Sequence, residues 1–492
     1  MSVLAGPALA ASLPSTGTLV AAALAALAVV AALAALMRRH AAALPLLAVL
    51  ALPFRVPISA DGRTVNLLVP LYLVIAAGAI VQLLPRLARA GLRPSRGGRG
   101  RSRGSRLSPP PAGDPRPSLT RMRSWLSPSG LEWVLLAAVA LYALQAVYSS
   151  DRAKAAENLA FFYVPFGLLF VMLRDVRWTR WLIARCLGLA VALAVLFAGV
   201  GFVEYYRKSL FLNPKVVAAD QYANYFRVNS VFFDPSIYGR FLALVMIALM
   251  AVLLAGRPAA ELGGGGRGGT PLAPADRRGT LLGAAVLLWL LAGMVTSFSQ
   301  SSIAALLLGL AILGGWCWGV RPAALLSAGL VALALVFVLV APVSLHFGLK
   351  GAGGSAANAT SGRTTLVSGG LELFAKRPLQ GYGSGSFETE YKRHSHTDAE
   401  NATSASHTIP ITVAAEQGVV GLAMYAALLA IAFTVLFRGA GRSPPRIALA
   451  ACFAALVLHT WTYADFLEDP FTWALLAVGV ALARQQSPAA SV

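Results

Sequence analysis

Residues 362–422 read GRTTLVSGGLELFAKRPLQGYGSGSFETEYKRHSHTDAENATSASHTIPITVAAEQGVVGL. Apolar runs precede and follow this stretch, so it stands as the longest polar segment on one side of an otherwise apolar chain. A loop this long inside a compact protein is either functional or disordered. Phe374, Leu379, Tyr382, Phe387 and Tyr391 argue for a folded loop, because disordered tracts lack aromatic and aliphatic residues. It holds three of the chain's six histidines, His394, His396 and His407. It also holds Arg363 and Arg377, next to the predicted membrane, and a glycine-rich turn, Gly381-Tyr382-Gly383-Ser384-Gly385.

What flanks this loop sets the fold class. The chain has 492 residues, 57% hydrophobic and only 12% charged, whereas a soluble protein carries about 25% charged residues. Many apolar runs approach the roughly 20 residues that cross a bilayer as a helix. Thirteen candidate spans fall near 17–37, 41–54, 65–84, 131–149, 159–173, 181–203, 236–255, 280–297, 302–319, 323–345, 408–437, 447–465 and 471–483. The second and last are short, re-entrant or tilted, which leaves 12 as the other count. These helices lack the polar face that a soluble helical array needs. The expected fold is an all-α polytopic bundle with one long extracytoplasmic loop. Its parts are N-terminal helices at 1–85, a basic linker at 86–123, a helical core at 124–345, the loop at 346–407 and C-terminal helices at 408–484.

The net charge of +21 is distributed unevenly. With Arg38 and Arg39 in the cytoplasm and the spans alternating, 26 of the 41 basic and 5 of the 20 acidic residues fall inside, which accounts for the whole excess. The positive-inside rule then places the N-terminus outside, the C-terminus inside and the long loop outside. No basic residue precedes the first apolar run, so that run is expected to stay as a helix and not leave as a signal peptide. Residues 86–123, rich in Arg, Gly, Pro and Ser, cannot bury a core and read as a solvated linker that sets topology. Residues 256–279 are a second such linker, and neither implies a specific nucleic-acid partner. Cys186, Cys317 and Cys452 sit apart in apolar runs without metal-ligand spacing. His394 and His396 read as solvated side chains, so no metal and no cofactor are expected.

The remaining polar residues collect at outer helix ends. Arg227 lies in an aromatic-rich loop, and Arg240 lies about one helical turn inside the span after Asp234-Pro235. An arginine at that depth either faces a cavity or partner or snorkels to the interface. Ser297-Phe298-Ser299-Gln300-Ser301-Ser302 opens another span, either as a hydrogen-bonding site or as an ordinary serine cap. Asp151, Arg152, Lys154 and Glu157 can cap helix ends and pair together, while Asp465, Glu468 and Asp469 form an acidic turn able to pair with arginine.

In this order the motifs resemble the O-antigen ligase and O-antigen polymerase-like superfamily of bacterial membrane proteins, over roughly residues 130–480. Arg227-Val-Asn-Ser-Val-Phe-Phe-Asp-Pro235 is similar to that family's Arg-x-x-Gly-x-Phe-x-x-Pro. Thr296-Ser-Phe-Ser-Gln-Ser301 is similar to its Thr-x-Ser-Arg-Gly. Arg363 is followed by Arg377-Pro-Leu-Gln-Gly-Tyr-Gly-Ser-Gly-Ser-Phe387, similar to its glycine-rich turn, and then by His407 and Glu416-Gln-Gly-Val-Val-Gly421. Gln300 stands where the family often has arginine, and Thr408 where it often has asparagine.

The resemblance implies a glycosyltransferase in the bacterial inner membrane that moves a glycan from undecaprenyl diphosphate to a hydroxyl on a glycan or lipid acceptor. Such a reaction needs cations on the leaving diphosphate and a base for the hydroxyl. Arginine suits the first role because its planar fork stays charged and binds phosphate bidentately. The expected donor site comprises Arg227, Arg240, Arg363, Arg377, Gln300 and Glu416, with His407 as catalytic base. A transporter or flippase of a lipid-linked glycan, or an inactive partner in polysaccharide assembly, are the alternatives. The sugar, the acceptor and the oligomeric state are not encoded in any motif.

Overall fold

The structure, a computed structural model, describes residues 16–60, 63–86, 126–211, 226–255, 277–322, 324–325, 363–395 and 408–486. The chain divides into two compact units, Met1–Leu92 and Arg93–Val492. In the first, α1 (Thr16–Arg39), α2 (Ala43–Ala51) and α3 (Val69–Gly78) are helical. Between α2 and α3, β1 (Val56–Ala60) pairs antiparallel with β2 (Arg63–Leu67), Ile58 opposite Val65. This short hairpin sits within an otherwise helical chain, as the all-α expectation has it. Val56, Ile58, Thr64 and Val65 are β-branched and favour the pleat over a helix. The apolar run at 41–54 is cut short at nine helical residues, well below a full crossing.

The second unit begins with α4 (Pro128–Ala146). A continuous helix follows as α5 (Arg152–Asn158), a π turn (Leu159–Tyr163) and α6 (Val164–Arg174). Then come α7 (Arg180–Arg207), α8 (Pro235–Ala255), α9 (Arg277–Thr296) and α10 (Gln300–Trp318). The long loop supplies α11 (Arg363–Lys376) and α12 (Phe387–Ser395). The chain ends with α13 (Ile409–Phe437), α14 (Pro444–Thr462) and α15 (Pro470–Gln486).

Ten helices among the described residues are long and apolar enough to cross a membrane, so the protein is a polytopic helical one. The 17-residue α15 is shorter, as its apolar run suggested. The expected span at 323–345 lies outside the described residues apart from 324–325, as do most of both basic linkers. The span expected from 159 starts earlier, at Arg152. Asp151 caps it, accepting from the Lys154 amide at 2.9 Å, and Lys154 pairs with Glu157 at 3.0 Å. Proline opens α4, α8, α14 and α15, where its fixed φ costs no hydrogen bond.

α8 and α14 are the central helices, with 72% of their spanning windows buried. α14 is alanine-rich on every face, and Ala450, Ala451 and Ala455 are fully buried. Lipid supplies no apolar driving force between helices, so close backbone approach through small residues is what packs them. Gly309 of α10 receives Ile247 of α8, and Gly479 of α15 receives Leu436 of α13.

The two ends of this unit differ in charge. At one, Glu132 bridges Arg174 at 2.8 Å and Arg484 at 2.6 Å, and Arg446 caps the carbonyls of Val435 and Arg438 at 3.0 and 2.6 Å. The other end holds the 147–151, 226–234, 297–299, 378–386 and 463–469 segments, where the polar motifs meet.

Candidate functional site

The glycine-rich turn is docked into a break in a helix. Gly418 of α13 has φ +66 and ψ −162, so the helix is interrupted there. The backbone groups that the break leaves free are taken up by the turn. The Val419 amide donates to Pro378 O at 2.7 Å, the Gly383 amide to Glu416 O at 2.8 Å and the Tyr382 amide to Ala415 O at 3.3 Å. Irregular backbone within a spanning helix is tolerated only where protein satisfies it. A Cβ at Gly381 would strike the Glu416 carbonyl, and one at Gly418 the Leu379 carbonyl. Both glycines have positive φ, so sequence and packing agree on why no side chain stands there.

Glu416 fixes the far side of the turn. Its carboxylate accepts from the Gly385 amide at 2.8 Å through Oε2 and from the Phe387 amide at 3.1 Å through Oε1. Phe387 is the first residue of α12, so the carboxylate sits at that helix's N-terminus, the favourable end for an anion. The end of α4 closes the other face. Tyr148 donates to Gln380 O at 2.7 Å, Ser149 to Ser384 O at 2.8 Å and Ser384 to Tyr142 O at 2.9 Å. Gln145 donates to Gln417 O at 3.3 Å. Arg377 is exposed on this platform, its guanidinium 4.5 Å from the Tyr382 ring centroid.

A second polar cluster joins α8, α10, α14 and α15. Arg240 is 1% exposed and meets Asp469, equally buried, at 3.1 Å. It therefore does not snorkel; it faces the acidic turn as a partner. Asp234 accepts from the Ser236 amide at 2.6 Å and so caps α8. Ser299 caps α10 at the Ser302 amide, 3.4 Å, and shares a 2.7 Å hydrogen bond with the Ser302 hydroxyl. Ser301 and Ser302 in turn contact His459 Nε2 at 3.2 and 3.3 Å. The serine stretch is thus both helix cap and hydrogen-bonding site.

Arg227 is half-buried and donates from Nε to Ser297 O at 3.3 Å, tying its loop to the serine turn. That loop is also held by Glu204, fully buried, which accepts from the Ser230 amide at 2.7 Å. The 463–469 turn connects the clusters: Glu468 accepts from Asn158 at 3.0 Å on one side while Asp469 meets Arg240 on the other.

Of the residues expected from sequence, Glu416 and Arg377 come together at the glycine turn, and Arg227 and Arg240 at the second cluster. Gln300 is the exposed first residue of α10. Arg363 opens α11, though its side chain lies outside what is described, and His407 lies wholly outside the described residues. His394, expected to be solvated, is half-buried: it packs edge-on against Tyr382 at 5.8 Å and its Nδ1 meets Glu390 O at 2.9 Å. His396 lies outside the described residues. Sequence reasoning missed His459 and Glu204. His459 is an ionisable residue within an apolar run, which is itself a signal for function; Glu204 stands just past the expected 181–203 span.

Among the described residues, no group of three histidine, cysteine or acidic side chains could hold a metal. Residues 285–426 match the family model of O-antigen ligase. The matched region takes in the serine turn, the glycine turn and Glu416, and stops short of His459 and Asp469. No curated protein matches the chain.

Proposed function

We propose that this chain, a member of the O-antigen ligase-like superfamily and a multi-pass membrane protein of polysaccharide assembly, is a glycosyltransferase that uses a polyprenyl-diphosphate-linked glycan. The acceptor hydroxyl attacks the anomeric carbon of the donor glycan. Its proton passes to His407, the new glycosidic bond forms, and the bond to the diphosphate breaks with its electron pair leaving on phosphate oxygen. Arg227, Arg363 and Arg377 counter the charge that builds on that oxygen, with arginine in place of a metal. Gln300 lies at the mouth of α10 as a neutral donor to the same headgroup. Arg240 acts from behind, its charge balanced by Asp469, and Glu416 sets the position of the glycine turn and Arg377. The active face is extracytoplasmic in the inner membrane of a bacterium, with the N-terminus outside and the C-terminus in the cytoplasm.

One observation carries this reading. The part of the chain that matches the ligase family folds its glycine turn onto the break in α13, beside an exposed arginine. Buried charge supports chemistry over translocation. Arg240, Asp469 and Glu204 stand at helix ends, whereas transporters place such groups near the membrane midplane.

The test is transfer in proteoliposomes from a lipid-diphosphate-linked oligosaccharide to a soluble acceptor. His407→Ala is expected to insert and fold yet make no product. Arg363→Lys, which keeps charge and loses the fork, is expected to raise the donor KM. Full activity of His407→Ala removes the base, and labelled donor accumulating on the opposite leaflet without product replaces the enzyme by a flippase.

A further inference from the structure

A cavity of about 210 Å³ opens between α11 and α12. Its walls include Gly369, Glu372, Tyr391 and His394, with the hydroxyls of Ser368 and Ser395 at the edge. None of these residues hydrogen-bonds the glycine turn, although His394 packs on Tyr382.

The cavity is built on a rigid base. Tyr391 stacks on Phe387, ring centroids 5.8 Å apart and 14° from parallel. Phe387 is itself buried in the loop's core with Leu373, Tyr382 and Ala415. A Cβ at Gly369 would strike the Tyr391 ring, and one at Gly370 would crowd Ile411 and Phe387. Two adjacent glycines inside a helix cost about 1 kcal/mol each relative to alanine. They are what lets the ring lie against the α11 backbone and form the wall.

The polar groups around the ring are acceptors and hydroxyls. Glu372 pairs with Lys376 at 2.9 Å, which holds its carboxyl below the usual carboxylate range. At neutral pH it is acceptor-only. His394 Nδ1 lies 2.9 Å from the Glu390 carbonyl, which accepts and so fixes that nitrogen as the donor. In the neutral form of the ring Nε2 is then an acceptor. An anion would meet the Glu372 charge, and an acyl chain would strip water from the carboxylate and imidazole without replacing it. A ligand rich in O–H donors with one apolar face satisfies both walls. The ring of a sugar has that character: hydroxyls at its rim for the acceptors, and C–H groups on a face that can lie on Tyr391.

We propose that this cavity is a subsite for one uncharged or amino pyranose residue of a glycan, with Tyr391 as its stacking wall and Glu372 and His394 as its hydroxyl acceptors. The glycan's role as donor or acceptor rests on the glycosyltransferase reading above; its binding does not. The subsite lies on the same hairpin that Glu416 clamps, so an occupied cavity would hold a glycan chain beside the transfer site.

The full chain in nanodiscs is titrated with cellohexaose, chitosan hexamer and hexagalacturonate, read by saturation-transfer NMR. Cellohexaose or chitosan hexamer is expected to bind, and hexagalacturonate not. Glu372→Gln, at an exposed position, is expected to weaken binding by about tenfold or more, the loss for one hydrogen bond to a charged group, and Tyr391→Ala to weaken it by removing the stacking wall. Failure of all three oligomers to bind, preference for hexagalacturonate, or unchanged affinity in Glu372→Gln overturns the subsite. Transfer assays separate the sources. A raised acceptor KM in Glu372→Gln with the donor KM unchanged assigns the acceptor, and the reverse assigns the donor. Binding that needs Glu372 in a protein without transfer activity keeps the subsite and removes the enzyme. Transfer with both KM values unchanged in Glu372→Gln, together with unchanged binding, does the opposite.

Discussion

Replacing Glu416 tests how the glycine turn is held. Its carboxylate accepts two backbone amides, Gly385 at 2.8 Å and Phe387 at 3.1 Å. Glu416→Ala leaves both donors facing a space vacated by the side chain. A buried donor stripped of its partner costs about 1–3 kcal/mol, so the pair costs about 2–6 kcal/mol. In a local opening equilibrium that is a factor of roughly 30 to 10⁴. Glu416→Gln keeps one acceptor oxygen and turns an NH2 toward the second amide, so it loses about half as much, ~1–3 kcal/mol. Hydrogen exchange followed by mass spectrometry on peptides covering 378–395 reads this directly. Exchange there is expected to quicken in the order wild type, Gln, Ala, while peptides from α8 and α14 keep their protection. Transfer is expected to fall in the same order, because Arg377 rides on the turn. Unchanged exchange of the 378–395 peptides in Glu416→Ala would refute the clamp: the turn would then be held by its backbone bonds to 415–419 alone.

Asp469→Asn leaves the Arg240 charge buried without its counter-ion, and breaking one side of such a pair costs about 3–5 kcal/mol. A lower melting temperature in detergent is expected, with most of the loss restored when Arg240→Met is added; a double variant no better than the single one would remove the pairing argument. Gly383→Ala, at φ +95 with Ser149 in the path of any Cβ, is expected to undock the turn from α4, seen as new protease cleavage between 378 and 387; an uncleaved, active variant would contradict the close approach. Burial, and then the charge of Asp465, pushes the Glu468 carboxyl up to about 8 from 4.5. Between those two values the folded protein holds a proton that the unfolded chain has released, so stability falls as pH rises from about 4.5 to 8 and levels off above. Glu468→Gln is expected to flatten that slope in melting temperature against pH, and an unaltered slope would assign it to another group.

The apolar runs were legible one by one. A helix that crosses a bilayer satisfies its own backbone, and its length is set by the membrane, so ten of thirteen expected spans needed nothing but local sequence. The short second run and the short last one were legible as short. The glycines at 381, 383 and 385 marked a turn, and the aromatic residues around them marked a folded one. The β-hairpin at 56–67 was not read, because apolar runs alone do not separate strand from helix when they are this brief.

What the turn docks against was decided only in three dimensions. Gly418 reads as one more small residue in an apolar helix; its break is stable because Pro378 and Gly383 arrive to satisfy the freed backbone. Arg240 could have faced water, a ligand or an acid, and packing selected Asp469. His459 lies in a run whose pattern gives it no role, and it gains one from serines 157 and 158 positions away. The physical reason is the range of the forces. Transfer into lipid and helix formation act on each segment by itself, so sequence determines the spans. A buried charge or an open backbone group must find a partner wherever the fold brings one, and only the tertiary structure decides which.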